Sequence, residues 1–170
     1  MNYKKYIHEK NFIKITLIDD GRVNWFIIDE TDDFILIINE NDFIIDWYKL
    51  IKKDFIKKVS YGKQEKFYQN LYKINNIKIP ATKLEINLMN LLNKFKKDKE
   101  FIIIETYKKK KLSFDLWPIT NIGTNYISLK PISSLWKFEK IKKISTSDID
   151  VLSRWDRYSK VFEKSITSKK

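Results

Sequence analysis

One succession of elements is written twice along this chain. Residues 12–18 (Phe-Ile-Lys-Ile-Thr-Leu-Ile) alternate as a strand does, and Asp19-Asp20-Gly21-Arg22 supplies an Asp-Gly hairpin signal before the return strand at 23–29. The polar cluster at 30–33 turns the chain into a third strand at 34–39. Two short strands follow at 47–51 and 56–59. At 63–74 the period changes, and Phe67, Leu71 and Ile74 share one helical face with Tyr68 and Tyr72 beside them. The second half repeats this order: strands at 101–107 and 112–119 around the turn 108–111, then strands at 125–130, 136–141 and 149–152. A helix over 155–166 closes it, with Tyr158, Phe162 and Ile166 at helical spacing. Asp19 and Lys108, Phe34 and Tyr126, and Ile56 and Ile149 lie 89, 92 and 93 positions apart. Identity between the halves is slight, so shared order and spacing carry the inference of an internal duplication.

Between the halves lies 75–80 (Asn-Asn-Ile-Lys-Ile-Pro), the best linker candidate, followed by a helical stripe of Leu84, Leu88, Leu91, Leu92 and Phe95. Thr82 and Glu85 have capping-box spacing, which predicts a helix start near Lys83. The stripe is that of a helix packing on a sheet, not of a ligand site. The expected organisation is therefore a first repeat at 1–76 and a linker helix plus second repeat at 81–170. The fold class is α+β, mainly β, with two small five-stranded barrels and an accompanying helix for each.

Five short, bent strands with a helix attached resemble the SH3-like and Sm-like small barrels, over 12–74 and 84–166. Asp46-Trp47-Tyr48-Lys49-Leu50-Ile51, then Lys53-Asp54-Phe55-Ile56 and Val59, is similar to a segment of uncharacterised bacterial two-repeat proteins. Trp47 stands where that group has glycine. The segment Trp155-Asp156-Arg157-Tyr158 with Phe162 is similar to the group's C-terminal part. The Sm resemblance implies RNA at the loops after the second and fourth strands. Glu30, Asp32 and Asp33 in the first copy would repel phosphate, and the later loops lack the Arg-Gly pair of Sm-type RNA binders.

Composition narrows the chemistry. The chain has 170 residues and no cysteine, which removes thiol catalysis, disulfides and Cys-based metal sites. His8 is the only histidine, so no His triad or multi-His metal site can form. There is no Gly-rich phosphate loop and no serine elbow. These features predict a non-enzyme without cofactor or metal. The apolar runs at 34–38 and 101–104 are too short to span a bilayer, so a soluble, cytoplasmic protein is expected.

The net charge is +12, but 31 of the 34 basic residues are lysine. With abundant Ile and Asn and only three each of Gly and Pro, an A+T-rich genome would write such a composition into any protein. Arginine, the residue suited to bidentate phosphate and guanine contacts, is nearly absent. The distribution says more: residues 1–80 hold 14 basic and 12 acidic side chains, residues 81–170 hold 20 and 10. A charge-seeking partner would meet the second half.

Two stretches there are candidates. Lys108, Lys109, Lys110 and Lys111 form a predicted hairpin tip beside Tyr107, where lysines follow phosphates while a ring stacks on a base. The competing reading is a solvated tip whose lysines discourage edge aggregation. Lys137, Lys140, Lys142 and Lys143 interleave with Trp136 and Phe138. On a strand Trp136, Phe138 and Lys140 would share a face, which is ordinary core geometry unless the rings are exposed. The acidic residues Asp29, Glu30, Asp32, Asp33, Glu40, Asp42 and Asp46 read as solvated turns or a docking surface for a basic partner. A calcium loop needs a glycine at its bend, and none lies between Gly21 and Gly62. The expectation is a non-catalytic interaction module, an adaptor or inhibitor of immunity type, meeting an acidic protein through the basic second repeat. The alternative is a nucleic-acid-binding protein using the same lysines and rings.

Overall fold

The computed structural model describes residues 3–41, 44–79, 86–131, 140–154, 160–161 and 164. It is mainly β and divides into two compact units, residues 1–86 and 87–170. In the first, a short helix α1 (Lys4–His8) precedes β1 (Phe12–Leu17), β2 (Arg22–Glu30), β3 (Phe34–Asn41) and β4 (Ile44–Lys52). A single 3-10 turn, Lys53–Phe55, leads into β5 (Ile56–Ser60), and α2 (Lys63–Ile74) follows. In the second, α3 (Leu88–Lys97) precedes β6 (Phe101–Lys108), β7 (Lys111–Ile122), β8 (Tyr126–Leu129) and β9 (Lys142–Ser145). Another 3-10 turn, Thr146–Asp148, leads into β10 (Val151–Arg154).

Within the first unit the antiparallel order is β5-β1-β2-β3-β4, and within the second it is β10-β6-β7-β8-β9. The two orders are the same, and the 3-10 turn before the last strand recurs. Two separate closed barrels are a finer statement than this pairing carries. Among the described residues no ladder joins β5 to β4 within the first unit, or β10 to β9 within the second.

The first unit shows why its sheet and helix meet. Phe12 pairs with Phe26 and Ile13 with Trp25, so the pleat sends the phenylalanines to one face and Ile13 and Trp25 to the other. All four are buried. Phe12 and Phe26 meet Tyr72 of α2 in one aromatic cluster, with ring centroids 5.1–5.7 Å apart. α2 buries Glu65, Gln69 and Tyr72, whereas Phe67 and Ile74 are exposed. The helix thus turns its tyrosine edge, not its Phe67–Ile74 stripe, to the sheet. Stacking of Tyr72 on Phe12, the tilted contact of Tyr68 with the same ring and the bond from Tyr61 Oη to Gln69 Oε1 (2.8 Å) fix that choice. Glu65 reaches back to accept from the Gly62 N–H (2.7 Å), which explains a buried carboxylate at the helix start.

In the second unit α3 buries Leu91, Leu92 and Phe95 and contacts β7. It begins at Leu88, not near Lys83. Ile86 and Asn87 are not helical, and the Asn87 side chain accepts from the Asn90 N–H (3.1 Å), a stronger start than the Thr82–Glu85 spacing suggested. Leu84 and the capping-box residues Thr82 and Glu85 lie outside the described residues. Strand β9 starts at Lys142, so Lys142 and Lys143 belong to a strand instead of following one. The strand expected over 136–141 and the helix expected over 155–166 lie wholly or mostly outside the described residues.

Glycine is used unexpectedly. In the β1–β2 turn the left-handed residue is Asp20 (φ 64°), while Gly21 has no positive φ. Gly21 serves by close approach: its N–H donates to Asp19 Oδ1 (3.0 Å), and a Cβ there would stand 2.9 Å from that oxygen.

Candidate partner-binding surface

The site is built on the β6–β7 hairpin. Lys108 pairs with Lys111, leaving Lys109 and Lys110 as a two-residue turn with φ of 48° and 61°. Both residues left-handed is the type I′ pattern, whose twist suits adjoining strands and which normally takes Asn-Gly. Lysine in that region is strained by its Cβ. The double variant Lys109→Asn/Lys110→Gly should therefore raise the stability of the chain by about 1–2 kcal/mol. A urea or thermal midpoint at or below wild type would show that the turn carries no such strain.

The pleat sorts what the hairpin presents. Thr106 pairs with Ser113 and Lys108 with Lys111, so these four lie on one face. Tyr107 pairs with Leu112 and Glu105 with Phe114, and these lie on the other. Tyr107 is therefore not on the lysine face, and the expected pairing of a phosphate-tracking lysine face with Tyr107 stacking is separated by one residue of register. Leu112 and Phe114, at 46% and 52% exposure, are instead large apolar side chains open to solvent near the tip.

Strand β9 completes the lysine face. Lys142 Nζ donates to both carboxylate oxygens of buried Asp115 (2.7 and 2.6 Å) and to Ser113 Oγ (3.2 Å), tying β9 to β7. Lys108 pairs with Asp148 (2.5 Å). Lys143 Nζ lies 4.9 Å from the Tyr126 ring centre. Tyr126 is itself pressed against Gly123, where an added Cβ would meet the ring at 2.3 Å. A groove of about 320 Å³ runs here, with Lys108, Lys111, Lys142 and Lys143 on its walls, the Thr106, Ser113 and Ser145 hydroxyls and Asp148 between them, and Leu112 and Ile144 adding apolar surface.

The structure thus brings together four of the lysines singled out by charge. Lys109 and Lys110 project at the tip, and Lys140 is exposed just before β9. Trp136 and Lys137 lie outside the described residues. Sequence reasoning missed the acid partners Asp115 and Asp148, which come from remote positions. It also missed Leu112 and Phe114, because an apolar residue at every second strand position reads as core. The chain matches no family model, no curated protein and no solved structure.

In the acidic turn of the first unit Asp29 and Glu30 are engaged locally, while Asp32 and Asp33 are exposed. Asp29 Oδ1 accepts from the Glu30 N–H (2.8 Å), and Glu30 pairs with Lys53 (2.5 Å), whose ammonium also lies over the buried Tyr3 ring. Among the described residues no three His, Asp or Glu side chains are grouped to hold a metal ion, and no helix is long and apolar enough to cross a membrane.

Proposed function

We propose that this chain is a non-catalytic interaction module that grips an acidic protein through the β6–β7 hairpin and the lysine groove beside it. The carrying observation is the exposure of Leu112 and Phe114 on the hairpin that also carries Lys108–Lys111. Protein interfaces draw their energy from a few desolvated apolar anchors, while surrounding charge steers the encounter and selects the partner. A hairpin with exposed Leu112 and Phe114 beside lysines at its tip and in the adjoining groove has both parts. The repeated strand order and recurring 3-10 turn support the finer reading that each unit is a copy of a small SH3-like or Sm-like barrel, with the second copy specialised for the partner.

The test is capture from an extract of the native host with wild type, a Lys108–Lys111 to Ser variant, and Leu112→Ser/Phe114→Ser. A protein of acidic composition that survives nuclease treatment and is lost with both variants is the expected result. Retention that disappears on nuclease treatment would replace this reading with the nucleic-acid one. Retention unchanged in both variants would remove the hairpin from the function.

A further inference from the structure

A second candidate lies in the first unit. Between α2, β2 and the chain just after α2 is a pocket of about 450 Å³, within the size range of small-molecule sites. Its apolar walls are Phe26, Tyr72, Ile77 and Ile79, where Ile77 and Ile79 pack against the Phe12–Phe26–Tyr72 cluster. The segment is held by the bond from the Ile77 N–H to the Tyr72 carbonyl (3.0 Å).

The polar groups are few and of one character. Lys10, Lys73 and Lys78 stand at the pocket, all exposed, against the single carboxylate of Glu9, which already accepts from Asn11 Nδ2 (2.7 Å). None of the three ammoniums is ion-paired among the described residues. Gln69, 7% exposed, also lines the pocket. Its Oε1 is taken by the Tyr61 hydroxyl, so the end left to serve the pocket is the NH₂ donor.

Apolar walls, one buried amide donor and a surplus of cations at the mouth make a complementary set for one class of ligand. We propose that this pocket binds a small soluble amphiphile with an anionic head, such as a medium-chain carboxylate. The tail lies along Phe26, Tyr72, Ile77 and Ile79, and the carboxylate meets the Gln69 amide and the lysines. A cationic amphiphile of the same length gains the apolar contacts but meets only repulsion at the mouth, which separates the two by sign of charge.

The experiment is titration of the full chain with decanoate, followed through the backbone amide resonances, with decylammonium as the comparison. Saturable shifts centred on Lys10, Gln69, Tyr72 and Ile77–Ile79 are expected, with decylammonium weaker by about tenfold or more. Lys73→Glu/Lys78→Glu, two exposed positions, should weaken decanoate by a similar factor while leaving amide dispersion elsewhere intact. Ile79→Trp, which fills the pocket, should abolish saturable binding. The proposal is overturned if shifts centre on the exposed Phe67 or Phe114 instead. Equal affinity for decylammonium, or unchanged affinity in the lysine variant, would overturn it equally.

Discussion

Arg154→Ala is expected to destabilise the second unit by about 3–5 kcal/mol, although it removes a residue at the end of a four-residue strand. Arg154 is 8% exposed, its Nη2 donates to Glu100 Oε1, its Nε faces Oε2, and the guanidinium lies 5.2 Å from the Phe95 ring centre. It therefore locks α3, the start of β6 and β10 together. Deleting it leaves the Glu100 carboxylate in a shielded site with only the weaker pull of Lys94, and that under-compensated charge is the main cost. Urea unfolding and amide exchange in β6 and β10 of the full chain measure it. Glu100→Gln/Arg154→Met should recover most of the loss, because neither side then carries a charge. A single variant as stable as wild type would mean that water reaches the carboxylate freely.

The same pair predicts a pH dependence. Burial pushes the Glu100 carboxyl above its ordinary value of 4.5, outweighing the opposing pull of Arg154. The folded state then holds the proton more tightly than the unfolded state does. Glu100 is a cost at neutral pH that is relieved as pH falls through its raised value towards 4.5. Relative to Glu100→Gln, wild type should gain stability across that window. A difference that stays flat would contradict the assigned burial.

The second large effect is expected in the first unit. Phe12→Ala should cost about 3–5 kcal/mol, and Phe12→Leu only about 1 kcal/mol. Phe12 is 1% exposed, and its ring contacts Phe26, Tyr68 and Tyr72 at once. Truncation leaves a cavity between β1 and α2 that two tyrosines tied into a helix cannot close without moving the helix. Amide exchange should show α2 losing protection before the sheet does. Uniform loss of protection would indicate that α2 and the sheet unfold as one.

Local signals made much of this legible. The bounds of α2 follow from Gly62 before it and Asn75-Asn76 after it, where Asn76 takes the left-handed cap at φ 51°. The β6–β7 hairpin follows from two strands flanking four lysines. What stayed hidden depended on contacts between distant residues. The buried edge of α2 is set by Phe12, half a unit away, and by Tyr61 just before the helix, so helical spacing alone favoured the wrong stripe. The lysine groove was visible as charge, but its internal neutralisation by Asp115 and Asp148 needs β7, β9 and the turn after β9 in place. Tyr107 was singled out by adjacency to Lys108, and adjacency on a strand means opposite faces.

In both units the first strand pairs with the last: Lys14 with Ser60, and Ile102 with Arg154, 46 and 52 positions apart. Each sheet can grow by local hairpins from its second strand onwards, but the closing ladder waits for the far end of the unit. Closure of so long a loop is an entropic search that precedes its reward, which places folding of each unit in the millisecond-to-second range. During synthesis β1 would find its partner once residue 60 is free of the ribosome, whereas β6 must wait for 151–154. Until then β6 would lack the partner that covers its Ile102–Ile104 run. In each unit, then, the outer edge of the first strand is the one that stays open until the last strand has emerged.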